Sequence, residues 1–360
     1  MIIPNNFSRR WADTQVDLML GLQQIHEKEK VVNGFFTNIV EERLKEVSNR
    51  KYALLCRSGS HAIGIALITY GLGYGDKVIV PSYSCPATLS SITIIGCEPV
   101  FCEINKYGML DTEYLDSLST SGAKAVLATG LYGDVHDHDG VKKFCDQYDM
   151  VYINDAAQSQ FALYKGVDSL KLGDIVCMSF ADNKPIPVLG TFGAVLTDNE
   201  EHYHRIKQLR KNGKISRLTP YVSTGFSSHP DEDKAVQILA SWKHFDTWQD
   251  KKKEISSIYD AEFKGKIKIR PIPKYSTWNA HKYVIMVTNK FISYKNLLKA
   301  GLETEQHYVD NFATLPWTPD TLKTYPMTDK FVQQSLTISN DPYMTDCEID
   351  TVISTVIKYS

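Results

Sequence analysis

The chain has 360 residues, too many for one small core, and is read as a large domain followed by a smaller one. Hydrophobic residues make up 43% and charged residues 23%, as in an ordinary soluble globular protein, and a net charge of −2 leaves no basic face for a nucleic-acid partner. No apolar stretch approaches the roughly 20 residues that cross a bilayer, and the polar opening Met1–Asp13, broken by Pro4, reads as neither a signal peptide nor a membrane anchor.

In chain order, the first 50 residues read as helical, with a charged run Ile25–Lys30 and an amphipathic stretch Phe35–Val47. The next 150 alternate short apolar runs with helical segments. Strands are expected at Tyr52–Cys56, Lys77–Pro81, Pro99–Glu103, Ala125–Thr129, Val151–Asn154, Ile175–Phe180 and Ala194–Thr197. Unbroken runs such as "KVIVP" suit strands covered on both faces, and alternation with helices predicts a mostly parallel, doubly covered sheet. Helix is expected from Glu200 to about Gly213 and again from Asp231 to about Phe263, with the polar stretch Gln249–Glu254 as a crossing between domains. The remainder reads as strand, helix, strand, helix ("YVIMV", "NLLKAG", "SLTIS", "TDCEIDTVISTVIKY"), the last opened by Thr345 and Glu348 as a capping box.

The seven cysteines are odd in number and form no CxxC. Cys56 and Cys177 fall in apolar strands, so reduced thiols in a cytoplasmic protein are expected, with no disulfide framework and no metal site. "HDHD" (His136–Asp139) has metal-ligand residue types but not their spacing, and reads as a solvated loop. "GLGYG" (Gly71–Gly75) follows a helix and precedes a strand, the reverse of a dinucleotide fingerprint, and reads as a helix C-cap and turn.

Four segments fall at the C-terminal ends of expected parallel strands, the edge where open α/β sheets hold ligands. "RSGSHA" brings Gly59, where backbone approaches closely, and Ser60 at a helix start, a pattern for phosphate; its plainer reading is a capped turn, with Ser58 or Ser60 as N-cap. "NDAAQS" ends a buried strand on Asp155, costly unless it meets a cation, followed by small residues and Gln158; its plainer reading is a helix cap. "SFADNKPIPVLGTFGAV" carries Lys184 in a loop, where a desolvated lysine condenses with carbonyls, although most lysines are solvated surface residues. "LYGD" (Leu131–Asp134) is a turn and weak by itself. Together they offer a phosphate cradle, an acid for a protonated ring nitrogen, a donor for a phenolic oxygen and a lysine for an aldehyde. These are the needs of pyridoxal 5′-phosphate (PLP).

From about Tyr52 to the C-terminus the chain resembles the DegT/DnrJ/EryC/StrS sugar aminotransferases, PLP enzymes of fold type I. The resemblance rests on "RSGSHAIGIALITYGLGYGDKVIVPSYSC", "GLYGD", "INDAAQS", "GDIVCMSFADNKPIPVLGTFGAVLTDN", "GLETEQHY" and "LTISNDPYMTDCEIDTVISTV", in that order. It implies an aspartate-aminotransferase-like fold: a three-layer α/β/α large domain with a mostly parallel sheet, at about residues 10–240, then a smaller C-terminal α/β domain at 241–360. It places Lys184 on the lysine that bonds the cofactor and Asp155 on the acid at the ring nitrogen. Gln158 falls beside the ring oxygen, Gly59 and Ser60 on the phosphate-binding pair, and Ser179 on a phosphate-contacting serine. Where the family carries an aromatic that stacks on the ring, this chain has Cys85, leaving Tyr83 or Pro86 as candidate supports. The family loop that reaches the neighbouring subunit's phosphate appears as "GFSSHPDE", with Ser227 and His229 at its Asn and Arg positions.

The implied activity is amino transfer from an amino acid, L-glutamate by resemblance, to a nucleotide-linked keto-deoxysugar that feeds a surface polysaccharide such as O-antigen, or a glycoconjugate. The implied assembly is a homodimer with active sites at its interface. A dehydratase on the same scaffold, an aminotransferase for a cyclitol, and a PLP-binding sensor without turnover are the competing readings; retention of Lys184 speaks against the dehydratase. Substrate contacts are expected in the loops Lys214–Pro230 and Asn311–Tyr325, where Tyr221 and Trp317 are candidate stacking residues and no substrate code is legible.

Overall fold

The computed structural model describes residues 1–216, 218–317 and 324–360. Seven strands, Tyr52–Cys56, Lys77–Pro81, Glu98–Cys102, Ala123–Thr129, Val151–Asp155, Ile175–Ser179 and Gly193–Thr197, form one sheet. Numbered by chain position, their spatial order is 1-7-6-5-4-2-3. Only Gly193–Thr197 runs antiparallel to its neighbours. The expected strands are all present, with ends displaced by at most two residues.

Alternation along each strand explains the layering. Leu54, Cys56, Val78, Val80, Leu127 and Cys177 face one way and pack with Ile63, Leu67, Leu89 and Ile206 from helices Gly59–Thr69, Pro86–Thr93 and Glu200–Leu209. Ala53, Leu55, Val176, Met178 and Leu196 face the other way, against Phe36, Val40, Leu44 and Ile238. Ile79, Val126 and Tyr152 continue that face against Val141 and Phe144 of helix His138–Tyr148. Each fully buried Leu, Ile or Val is worth about 1.5–3 kcal/mol, so a sheet apolar on both sides requires two helix layers. The result is the three-layer α/β/α fold with a mostly parallel central sheet that the resemblance implies.

A second, three-stranded antiparallel sheet, in the order Lys268–Ile269, Tyr283–Met286, Ser335–Ile338, lies C-terminal to helix Phe245–Phe263. The chain's opening residues pack on this later part: Ile2 bridges Leu302, and Arg9 grips Glu348 through two nitrogens at 2.7 Å. The capping box forms as expected, with Thr345 accepting from the Glu348 N–H at 3.3 Å and Glu348 accepting from the Thr345 N–H at 2.8 Å. Mainly through Arg9, the Glu348 carboxyl is held down to about 2. A depressed carboxyl stabilises the fold above its unfolded value, about 4.3, and that contribution is lost as pH falls through its folded value. Glu348→Gln is therefore expected to lower the melting temperature at pH 6 and to approach wild type near pH 2; a pH-independent difference would refute this.

Several expectations need correction. The helix foreseen over Asp231–Phe263 is two helices, Glu232–Lys243 and Phe245–Phe263, hinged at His244. Trp242 and Phe245, on either side, are both buried against Phe161, so packing breaks the run without a glycine or proline. Gln249–Glu254 lies inside the second helix. "HDHD" is not a solvated loop: His136 is fully buried with Nε2 2.5 Å from the Tyr152 hydroxyl, which also meets His138 Nδ1 at 3.1 Å. Asp137 caps the helix that follows. A helix at Pro326–Gln334 was not foreseen. "GLGYG" does end a helix, and Gly71, at φ +75°, takes the left-handed turn that glycine tolerates best. No helix among the described residues is long and apolar enough to cross a membrane.

Candidate active site

Parallel strands deliver their C-terminal ends to one edge of the sheet, and a cavity of about 260 Å³ opens there. Its wall is assembled from segments distant in sequence. The strand ending at Cys56 gives Ser58, Gly59 and Ser60, that ending at Pro81 leads to Cys85 and Thr88, and that ending at Thr129 gives Thr129. The strand ending at Asp155 gives Asp155, Ala157 and Gln158, and that ending at Ser179 gives Ser179 and the loop to Lys184. His307 and Tyr308 reach in from the C-terminal part.

The phosphate-type corner follows from capping. Ser58 is the N-cap of helix Gly59–Thr69, its hydroxyl accepting from the His61 N–H at 3.0 Å. Ser60 is thereby left out of the cap, and the N–H groups of Gly59 and Ser60 carry no intramolecular bond among the described residues. Free amides at a helix start form an anion site. A side chain at Gly59 would put its Cβ 2.8 Å from Ser179 Cβ, so glycine is what lets these two segments meet.

Asp155 is buried, 4% exposed, with one oxygen accepting from the Ala157 N–H at 3.1 Å and the other from the Thr88 hydroxyl at 3.3 Å. Burial raises its carboxyl above the ordinary range despite these donors. Burial also lowers the Lys184 amine below an ordinary lysine. Lys184 forms no ion pair among the described residues. The Thr129 hydroxyl, on the same wall, is buried without a hydrogen-bond partner among the described residues.

Gln158 is fixed by two bonds. Its Oε1 accepts from the Tyr132 N–H at 2.9 Å and its Nε2 donates to the Tyr308 hydroxyl at 2.7 Å. The "LYGD" turn thus orients Gln158 through its backbone, with Tyr132 at φ +60°. Burial holds the Tyr308 phenol well above its usual range, and the Lys290 ammonium donates to the Tyr308 carbonyl at 2.8 Å.

The sequence-derived site residues Gly59, Ser60, Cys85, Asp155, Gln158, Ser179 and Lys184 all line this one cavity. Ser227 does not; it bridges Lys211 on a separate loop, while its neighbour Ser228 accepts from the Arg57 N–H. Tyr83 is no part of the wall either. It is fully buried, hydrogen-bonded to Tyr132 at 2.8 Å and Ser335 at 2.9 Å, so Tyr308 rather than Tyr83 faces the cavity beside Cys85. Tyr308, Thr88 and Thr129 had no sequence signal, beyond the place of Tyr308 in "GLETEQHY". Of the loops expected to meet substrate, Arg217 and residues 318–323 lie outside the described residues.

Residues 13–357 match the model of the DegT/DnrJ/EryC1/StrS aminotransferase family. The chain belongs to this family. Its members are PLP-dependent aminotransferases, and this chain is one of them. It is similar to the UDP-2-acetamido-2-deoxy-3-oxo-D-glucuronate aminotransferase of Pseudomonas aeruginosa, 27% identical over 91% of this chain and 92% of that one. Its fold matches a DegT DnrJ EryC1 StrS aminotransferase from Brucella abortus with a TM-score of 0.94 at 20% identity, covering 100% and 99% of the two chains. It also matches NtdA from Bacillus subtilis with bound cofactor PMP, at a TM-score of 0.88 and 25% identity over 96% and 82%.

Proposed function

We propose that this aminotransferase moves an amino group from L-glutamate to the keto group of a nucleotide-linked keto-deoxysugar, with Lys184 as the residue that bonds PLP and carries the proton. The observation behind this reading is the convergence of Lys184, Asp155 and the Gly59–Ser60–Ser179 corner on one cavity. These residues fit the cofactor. The free amides and hydroxyls at the corner suit its phosphate, a buried carboxylate that forms no ion pair among the described residues suits its ring nitrogen, and Ala157 leaves room for a flat ring. When bound, PLP supplies the electron sink that stabilises a carbanion next to the transferred nitrogen.

The chain's own residues supply the rest. Lys184, its amine made less basic by burial, accepts the donor's α-proton on Nζ and returns it on the other side of the transferred nitrogen. Asp155 holds a negative charge at the ring nitrogen so that the sink stays protonated. Gln158 spends one Nε2 hydrogen on Tyr308 and keeps the second for the ring oxygen. Ser227, off its own chain's cavity, serves the neighbouring site of a homodimer. Residues 10–240 form the large domain and 241–360 the small one, which contributes His307 and Tyr308 to the cavity wall.

Gly59→Ala is expected to weaken PLP retention about tenfold or more, since a 2.8 Å Cβ contact forces a shift costing about 1–3 kcal/mol. Fluorescence titration of PLP measures it, and unchanged retention would remove Gly59 from the cradle. The substrate reading is tested by incubating PLP-loaded protein with L-glutamate and a panel of nucleotide keto-sugars. Release of 2-oxoglutarate matched by aminated sugar is expected. Amination of free cyclitol ketones alone would retire it.

A further inference from the structure

Next to the cofactor cavity lies a second group of charged residues that the chemistry above does not use. Lys282 is nearly buried, 6% exposed, and its ammonium meets Glu305 Oε2 at 2.5 Å. Glu305 in turn lies 3.9 Å from His307 Nδ1, and His307 is part of the cavity wall. Among the described residues, the hydrogen-bond partner of Lys252, on helix Phe245–Phe263, is the backbone carbonyl of His281, at 3.3 Å. Arg10 stands over the Trp248 ring of the same helix, and its nearest carboxylate, Asp341, is 4.0 Å away. Its Nε and Nη1 are buried without a hydrogen-bond partner among the described residues, as is Nδ1 of His281, a residue 2% exposed.

The charges do not balance by contact. Among the described residues, the three cations Arg10, Lys252 and Lys282 meet two carboxylates, Glu305 at Lys282 and Asp341 at 4.0 Å from Arg10, and neither pairs with Lys252. A buried cation without a paired anion is costly. The strain falls on Lys252: burial, reinforced by repulsion from Lys282 and Arg10, lowers its amine to about 7. An anion placed among the three would restore the balance, and Glu305, which joins Lys282 to His307, ties the group to the cavity wall.

We infer that Arg10, Lys252 and Lys282 form a carboxylate subsite adjoining the cofactor cavity, which reads an acidic group on one of the two substrates. The inference rests on the aminotransferase reading. The carboxylate has two possible carriers, the side chain of a dicarboxylic amino donor or an acidic nucleotide sugar, and the chemistry of recognition is the same for both.

The test uses PLP-loaded wild type beside Lys252→Met and Lys282→Met, which keep side-chain volume while removing charge. Rates of the first half-reaction are compared for L-glutamate and L-glutamine, and affinities for UDP-glucuronate and UDP-glucose, taken as unreactive probes. If the donor is read, wild type prefers L-glutamate and the variants lose that preference by tenfold or more. If the sugar is read, the loss falls instead on the preference for UDP-glucuronate. Thermal melts show whether each variant folds, and glutarate or glucuronate is expected to raise the melting temperature of wild type but not of Lys252→Met. No acid preference in wild type, or one that both folded variants retain, overturns the subsite. Failure of the aminotransferase reading is seen separately, as absence of the PLP absorbance in wild type.

Discussion

Lys184→Ala is expected to lower amino transfer at least ~10³-fold, because one residue is both the covalent anchor and the proton carrier. The fold should be unharmed. Lys184 makes no ion pair among the described residues, and burial disfavours its charged form, so removing the amine relieves a cost. A melting temperature at or above wild type is therefore expected together with the lost turnover, and this pairing separates a catalytic effect from misfolding. Primary amines added to the buffer should restore part of the proton transfer. Full turnover by the variant with PLP bound would show that Lys184 does not carry the chemistry.

Asp155→Asn has the second-largest expected effect. Removing one partner from a buried charge pair costs about 3–5 kcal/mol, which corresponds to a fall of roughly 10²–10⁴-fold in turnover. A pH test is independent of turnover. In the cofactor-free protein burial raises the Asp155 carboxyl, so the folded state holds that proton more tightly than the unfolded chain. The acid form therefore favours folding at low pH, and this advantage is lost as pH rises through the raised folded value. A cation at the ring nitrogen reverses the trend by stabilising the carboxylate. The gain in melting temperature on adding PLP should thus grow with pH above the ordinary carboxylate range in wild type, and grow less in Asp155→Asn. Equal growth in the two proteins would place the ring nitrogen away from Asp155.

The central sheet was legible because its strands are apolar on both faces, and only a doubly covered sheet buries such runs: Leu54 and Leu55 are neighbours that point into different cores. The capping box at Thr345 was legible because both partners lie within one turn. Features joined across long separations were not. Helix Phe35–Ser48 begins at Gly34, which has no side chain to cap it, and its free N–H groups are taken by Glu232, about 200 residues on, at 2.8–3.0 Å. His136 looked solvated because its partner Tyr152 belongs to another segment. At the site, Lys184, Asp155 and Gly59 were found because each sits in a local strand-end pattern. Thr88 and Thr129 were missed because their importance comes from what the fold sets against them: Asp155 for the first, the open cavity for the second.

The most direct measurement is the visible absorption spectrum of the purified, PLP-supplemented protein before and after L-glutamate. A yellow protein-bound band, absent from Lys184→Ala, is expected, and glutamate should replace it with the shorter-wavelength band of the aminated cofactor. A protein that develops no band with excess PLP, or whose band is unmoved by glutamate and every other amino donor, would contradict this reading.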